Sequence, residues 1–301
     1  SIGGLKTILW IDGFQFFIYL SCGLISLFHI FGNESFNYEK IYENGFFDII
    51  NFSQDLISYQ GLLISILAGI LMSLGAHGID YLMVKRVLST DSLSSAKKAM
   101  IGSGFFVFIQ FAIFLCVGTF LLSGTFFDNS TASNSIFTSY IKNYIPPGIR
   151  GLMLAGILSA SMSSLSSSIN SLASSTVIDI FNKSLNVKES IMVSIFWGII
   201  LTVFCLIFDY NPESSIVILS LKIVSFTYGG LISLFVFVRL KLHFSKESII
   251  VGYISSIIIL LILAYNHISW EYYISISIMC NFIITYFLNF LIISFKRQKL
   301  N

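Results

Sequence analysis

Charge is what this sequence has least of. Asp, Glu, Lys and Arg make up 11% of its 301 residues, against 55% hydrophobic residues, and the mean hydropathy is +0.87. A water-soluble globular domain of this length is excluded by that composition. Cysteine is scarce too. Cys22, Cys116, Cys205 and Cys280 all fall in apolar stretches, with no CxxC pair and no metal-ligand spacing, which reads as small apolar packing. A nucleophile elbow, a P-loop and an HExxH segment are all missing, and so is any polar domain to hold one. Neither an enzyme nor an organic cofactor is therefore expected. The chain opens at Ser1 without an initiator methionine or a signal peptide, and Ser-Ile-Gly-Gly runs straight into apolar sequence. It reads like the middle of a longer protein, whereas Lys296-Arg297-Gln298-Lys299 reads like a natural C-terminal tail.

What the chain does have is long apolar runs. Segments at residues 5–31, 60–79, 99–124, 151–178, 190–208, 215–238, 247–265 and 270–295 are each long enough to cross about 30 Å of hydrocarbon. An all-α polytopic membrane protein with about eight transmembrane helices follows, as a single membrane domain spanning residues 1–301. The few charges then orient it. With Lys6 inside and alternating spans, the inner side holds Lys6, Lys85, Arg86, Lys97, Lys98, Lys183, Lys188, Arg239, Lys241, Lys246, Lys296, Arg297 and Lys299. The outer side keeps only Lys40, Lys142 and Arg150. A split of 13 to 3 matches the positive-inside rule, with both ends cytoplasmic. The net charge of +2 expresses this asymmetry and gives no reason to expect nucleic acid. Residues 32–58, with Glu34, Glu39, Glu43, Asp48 and Asp55, read as a solvated outer loop.

The segment Arg150 to Lys183 concentrates serine inside a span. At about 100° per residue, Gly156, Ala160, Ser163, Ser164, Ser167, Ser171 and Ser174 share one stripe, and Leu154, Leu158, Met162, Leu165, Ile169 and Leu172 lie opposite. Such a face either packs closely against other helices or offers oxygens to a small hard cation. Three ionisable residues stand out besides. Asp12 lies within the first span, where a carboxylate is costly and is either paired or functional. Lys222 lies about a third of the way into its span, too deep to reach the surface easily, and needs a partner or an aqueous cavity; Asp12 or a solute carboxylate would serve. His77 sits between Gly75 and Gly78, with Ser73 one turn earlier on the same face. It is either a packing residue or part of a cavity wall.

Four segments, in order, resemble the sodium:solute symporters, the family of the sodium/glucose and sodium/proline carriers. PPGIRGLMLAGILSASMSSLSSSINSLASSTVIDIF resembles that family's eighth core helix. GGLKTILWIDGFQ (Gly3–Gln15) resembles its GGLKAVIWTDxxQ, which opens the fifth, although Ile11 stands where threonine is usual. GAHGIDYLMVKRVLSTDSLSSAKKA (Gly75–Ala99) resembles the end of the sixth, and SFTYGGLISLFVF (Ser225–Phe237) resembles the tenth.

The resemblance implies a leucine-transporter-type fold of two inverted repeats, of which this chain is a C-terminal fragment holding core helices 5–12. It implies sodium ligands at Ala160, Ser163 and Ser164, forming half a site completed by an absent first helix. Ser167, Ser171 and Ser174 are left as packing residues. Asp12 falls at the aspartate of the WTD motif, near a second cation site of some relatives, and its role stays open between a structural pair and a cation. His77 falls where the family's sixth helix is often broken and lines the substrate cavity, Ser73 shares its face, and Lys222 falls near tenth-helix positions that contact substrate in the sugar-carrying relatives. Asp80, Lys85 and Arg86 are expected to anchor the sixth helix and the inner loop.

The expected activity is sodium-coupled symport of a small organic solute by alternating access. A sugar, sialic acid, amino acid, vitamin or monocarboxylate would each suit the family, and Lys222 with His77 tilts the choice toward an anion. The Ile-, Phe- and Asn-rich composition suits an AT-rich bacterial genome and so a cytoplasmic membrane. A transporter-like sensor fused to a kinase is the first alternative, opposed by the short tail after Phe295. A channel, or a sodium-independent or proton-coupled permease on the same scaffold, is the second.

Overall fold

Hydrocarbon offers no hydrogen bonds to the backbone, so apolar segments of this length must close their amides on themselves as helices. The computed structural model describes residues 4–33, 36–43, 61–123, 133–182, 186–207 and 215–298, with Gly45 and Phe126. Glu34, Asp48, Asp55, Lys183 and Lys299 lie outside them. In chain order the helices are α1 (Gly4–Phe31), α2 (Tyr38–Glu43), α3 (Leu62–Leu74), α4 (Tyr81–Leu88), α5 (Leu93–Ser123) and α6 (Ile136–Tyr144). They continue with α7 (Pro147–Ser175), α8 (Val187–Ile207), α9 (Ile216–Arg239), α10 (Lys246–Tyr265) and α11 (Tyr273–Gln298). Two wide π-helical turns extend α3 at Gly75–Ile79 and α7 at Thr176–Ile180. Eight of the described helical segments are long and apolar enough to cross a membrane. The third begins at Leu93, a turn and a half before the expected start, because Ser92 caps it by accepting the Ser95 amide.

Contacts divide the chain into two compact units, Ser1–Phe47 with Asp91–Ser214 and Asp48–Thr90 with Ser215–Asn301. In the first, α1 packs along α7 and α5, and α8 packs on α7. Its core gathers Ile30, Ile41, Phe120, Leu121, Tyr140 and Met153. Ile41 belongs to α2, so part of the expected solvated loop is a short helix whose one buried residue plugs this core. The Tyr140 hydroxyl meets His29 Nδ1 at 2.6 Å, and burial pushes the Tyr140 phenol up to about 12, which keeps its proton on. Of the cysteines, Cys22 is buried, whereas Cys205 is exposed on α8, which buries no residue.

The second unit is built on other chemistry. Ser225, Gly229 and Ser233 of α9, Ser248, Gly252 and Ser256 of α10, and Ser277, Asn281 and Thr285 of α11 are all buried. A Cβ on Gly229 would strike Ser277, and one on Gly252 would strike Thr285. The backbones therefore approach as closely as small residues at four-residue spacing allow. Thr285 Oγ1 donates to Asn281 Oδ1 at 3.0 Å within this seam.

Candidate functional site: an intramembrane carboxylate on a serine helix

The site of α1 and α7 is set by their register. Gly156 gives α7 a flat spot against which Cys22 of α1 lies, and Cys22 Sγ reaches the Leu152 carbonyl at 3.8 Å. From Cys22 back to Asp12 is about 15 Å along a helix, and from Gly156 on to Ser167 is about 16 Å, at roughly 1.5 Å per residue. Two helices running antiparallel from that contact bring the Asp12 carboxylate opposite Ser163 and Ser167. The hydroxyl of Ser163 donates to Asp12 Oδ1 at 2.6 Å, and that of Ser167 donates to Asp12 Oδ2 at 3.3 Å. Both carboxylate oxygens thus accept a hydrogen bond from a hydroxyl on one helix face. The Ser163 bond is short, as charge-assisted O–H···O⁻ bonds are.

Ser167 is the residue the sequence undervalued. It is 6% exposed and stands one turn beyond Ser163, so its i+4 spacing was the available signal. The opposite face of α7 is outward, with Leu158 63% and Met162 64% exposed, as the stripe required. Ser171 and Ser174 are half-buried further along. Of the three positions singled out for sodium, Ser163 faces Asp12. Ser164 is exposed, and Ala160 is half-buried at the edge of a 230 Å³ apolar cavity lined also by Tyr19, Cys22, Phe114, Met153 and Ile157. The donor set at Asp12 is hard oxygen, one carboxylate with two hydroxyls, which suits a hard cation. Among the described residues, no group of three or more His, Cys, Asp and Glu is placed to hold a metal ion.

The second unit holds the other singled-out residues. α3 ends in the π turn Gly75–Ile79, and the backbone leaves helical geometry at Asp80, with ψ of 124°. His77 lies in that turn, half-buried, its Nδ1 at 3.2 Å from the Ser73 carbonyl. Ser73 and His77 therefore share a face, with Ser73 exposed. Asp80 Oδ1 accepts the Leu82 amide at 2.9 Å and caps α4, an anchor of the kind expected there. Lys222 is half-buried on α9; its carbonyl accepts the Ser225 hydroxyl at 2.7 Å.

Comparison with known proteins agrees with this architecture. The sodium/sialic acid symporter NanT of Aliivibrio fischeri is 31% identical over 106 residues, 34% of this chain and 21% of NanT. A solved structure of a Na+-coupled sialic acid symporter in a substrate-bound outward-open state superposes with a TM-score of 0.72 at 20% identity. That superposition covers 96% of this chain and 63% of the symporter, so the chain spans less than two thirds of either relative. The model of the sodium:solute symporter family matches residues 1–245. Eight membrane-length helices, the superposition and that match make the chain a member of the sodium:solute symporter family.

Proposed function

We propose that this chain forms the greater part of a sodium-coupled secondary transporter for a small organic anion, with a sialic acid as the first solute to test. The Ser163–Asp12 hydrogen bond at 2.6 Å carries the reading. It holds a carboxylate and a hydroxyl together inside the membrane, where a charge is tolerated when it serves an ion or a partner. Without sodium, Ser163 and Ser167 point their protons at Asp12. With sodium, the hydroxyls turn so that their lone pairs and the carboxylate face the ion. Ser163 also belongs to the Ala160, Ser163, Ser164 set, so one side chain links both candidate positions. Ser73, His77 and Lys222 are the proposed solute contacts, and Lys222 supplies the charge an anion needs. The names of the relatives support sodium and sialic acid, and the positive-inside asymmetry supports a cytoplasmic membrane with both ends of this chain inside.

Alternating access follows from coupling, since sodium must stabilise the outward-facing state before solute binds. The driving force is adequate. One charge moving through 100 mV yields about 2.3 kcal/mol, and a tenfold sodium gradient adds about 1.4 kcal/mol. Uptake of labelled N-acetylneuraminate into proteoliposomes, driven by sodium or by choline, is the test. Uptake that requires an inward sodium gradient and falls in Ser163→Ala is expected. Equal uptake in choline, or uptake driven by a proton gradient alone, would overturn the sodium assignment. Transport of neutral sugars alone would overturn the anion.

A further inference from the structure

A single tyrosine touches both ends of the π turn. The Tyr228 ring, on α9, occupies the space that a Cβ on Gly75 would need, and Gly75 opens the turn. The Tyr228 hydroxyl donates to Asp80 Oδ2 at 3.3 Å, and Asp80 closes the turn, its amide bonded to the Gly75 carbonyl at 2.9 Å. The remaining carboxylate oxygen, Oδ1, is committed to the Leu82 amide. Asp80 therefore ties α9, the turn and α4 together, and His77 stands between the two points that Tyr228 grips. A π turn carries one residue more than α-helical geometry accommodates. Relaxing it to an α turn would rotate the end of the turn by about 100° around the axis. Something has to hold the wide form.

We propose that Tyr228 is a positioning residue that holds the π turn open through its hydroxyl bond to Asp80, and so fixes where His77 stands. The consequence for transport rests on the reading of His77 as a solute contact. Were the ring alone responsible, as a wedge in the Gly75 notch, phenylalanine would serve as well. The hydroxyl adds a bond to a charged group that already has its other oxygen engaged, and losing it frees the far end of the turn. The same break frees α4 from α9.

The test uses the full chain in detergent, with His77→Cys as a reporter in otherwise wild-type, Tyr228→Phe and Asp80→Ser backgrounds. Asp80→Ser keeps a residue that caps α4 but is too short to meet the Tyr228 hydroxyl. Hydrogen exchange over residues 75–84 reads the turn. Labelling of the introduced thiol by a water-soluble maleimide, located by peptide mass spectrometry, reads the position of residue 77. Both variants should speed exchange at residues 80 and 82 and change the labelling rate by about tenfold, the loss of one hydrogen bond to a charged group. Unchanged exchange and labelling in both variants would overturn the proposal and leave Tyr228 a packing residue. A sodium-specific thermal shift measured on the same samples should be unaltered by either substitution. Its absence in wild type would count against the sodium site and not against the latch, which the exchange at residues 80 and 82 still decides.

Discussion

The two units solve the problem of sticking apolar helices together in different ways. The first packs aromatic and aliphatic side chains, Phe120, Leu121, Tyr140 and Met153 among them, and sets the Asp12 carboxylate against Ser163 and Ser167. The second excludes bulk from its seam, so that serines, glycines, Asn281 and Thr285 meet backbone to backbone. The contrast teaches where serine counts for packing and where it counts for chemistry. In the seam of α9, α10 and α11 the hydroxyls mostly satisfy their own helix, as Ser233 does toward the Gly229 carbonyl at 2.9 Å. On α7 two of them leave their helix for a charged group on another.

Breaking the seam should produce the largest effect. Gly252→Leu places a branched side chain where Thr285 and Asn281 already lie, and overpacking of this kind costs about 1–3 kcal/mol or more. Thermal unfolding of the detergent-solubilised full chain should fall by several degrees, with the sodium response of what remains folded unchanged. Ser163→Ala comes next. It should weaken sodium binding by about tenfold or more, the loss of a hydrogen bond to a charged group, as read by the sodium concentration giving half the maximal thermal shift. Ser164→Ala, exposed in this structure, should weaken it less; an equal loss would restore Ser164 to the central set. Thr285→Val should then cost roughly 0.6 kcal/mol, the typical worth of a hydrogen bond between side chains within a membrane, which a small fall in melting temperature would register.

Tyr140→Phe should have the smallest effect at neutral pH, because only the His29 contact is lost. Its signature lies in the pH dependence. The folded phenol is raised from 10.0 to about 12, so the unfolded state gives up that proton first as pH climbs. The stability conferred by Tyr140 is fully present below pH 10 and declines between 10 and about 12. The difference between wild-type and Tyr140→Phe stability, followed across that window, should shrink; a constant difference would refute it.

The helices were legible because a long apolar run of this length has one hydrogen-bonding solution; their starts and ends moved by a few residues, at Leu93 because Ser92 caps the helix there. The outward face of α7 was legible from a 3.6-residue period. Asp12 announced itself by being charged where charge is costly. Its partners were half legible: Ser163 came from motif position, but Ser167 needed the register of α1 on α7, which Gly156 and Cys22 set and no local pattern reveals. The seam of α9, α10 and α11 went unremarked, although Ser248, Gly252 and Ser256 repeat every four residues. Asn281 and Thr285 repeat likewise, but four-residue spacing marks a packing face without naming the helix it meets. A break of the helix at His77 was implied by the resemblance, but its π form lay beyond sequence, since Gly75 owes its place to a ring arriving from α9.

The central claim is that Asp12 and Ser163 form a sodium site. Thermal stability of the full chain in sodium chloride against choline chloride, for wild type, Asp12→Asn and Ser163→Ala, tests it without knowledge of the solute. A ligand bound only by the folded state raises stability by mass action. The account predicts a sodium-specific rise in wild type that disappears in Asp12→Asn and is much reduced in Ser163→Ala. A rise of equal size in all three proteins, or none in wild type at sodium concentrations well above the physiological range, would contradict it and leave the carboxylate and its serines as a structural pair.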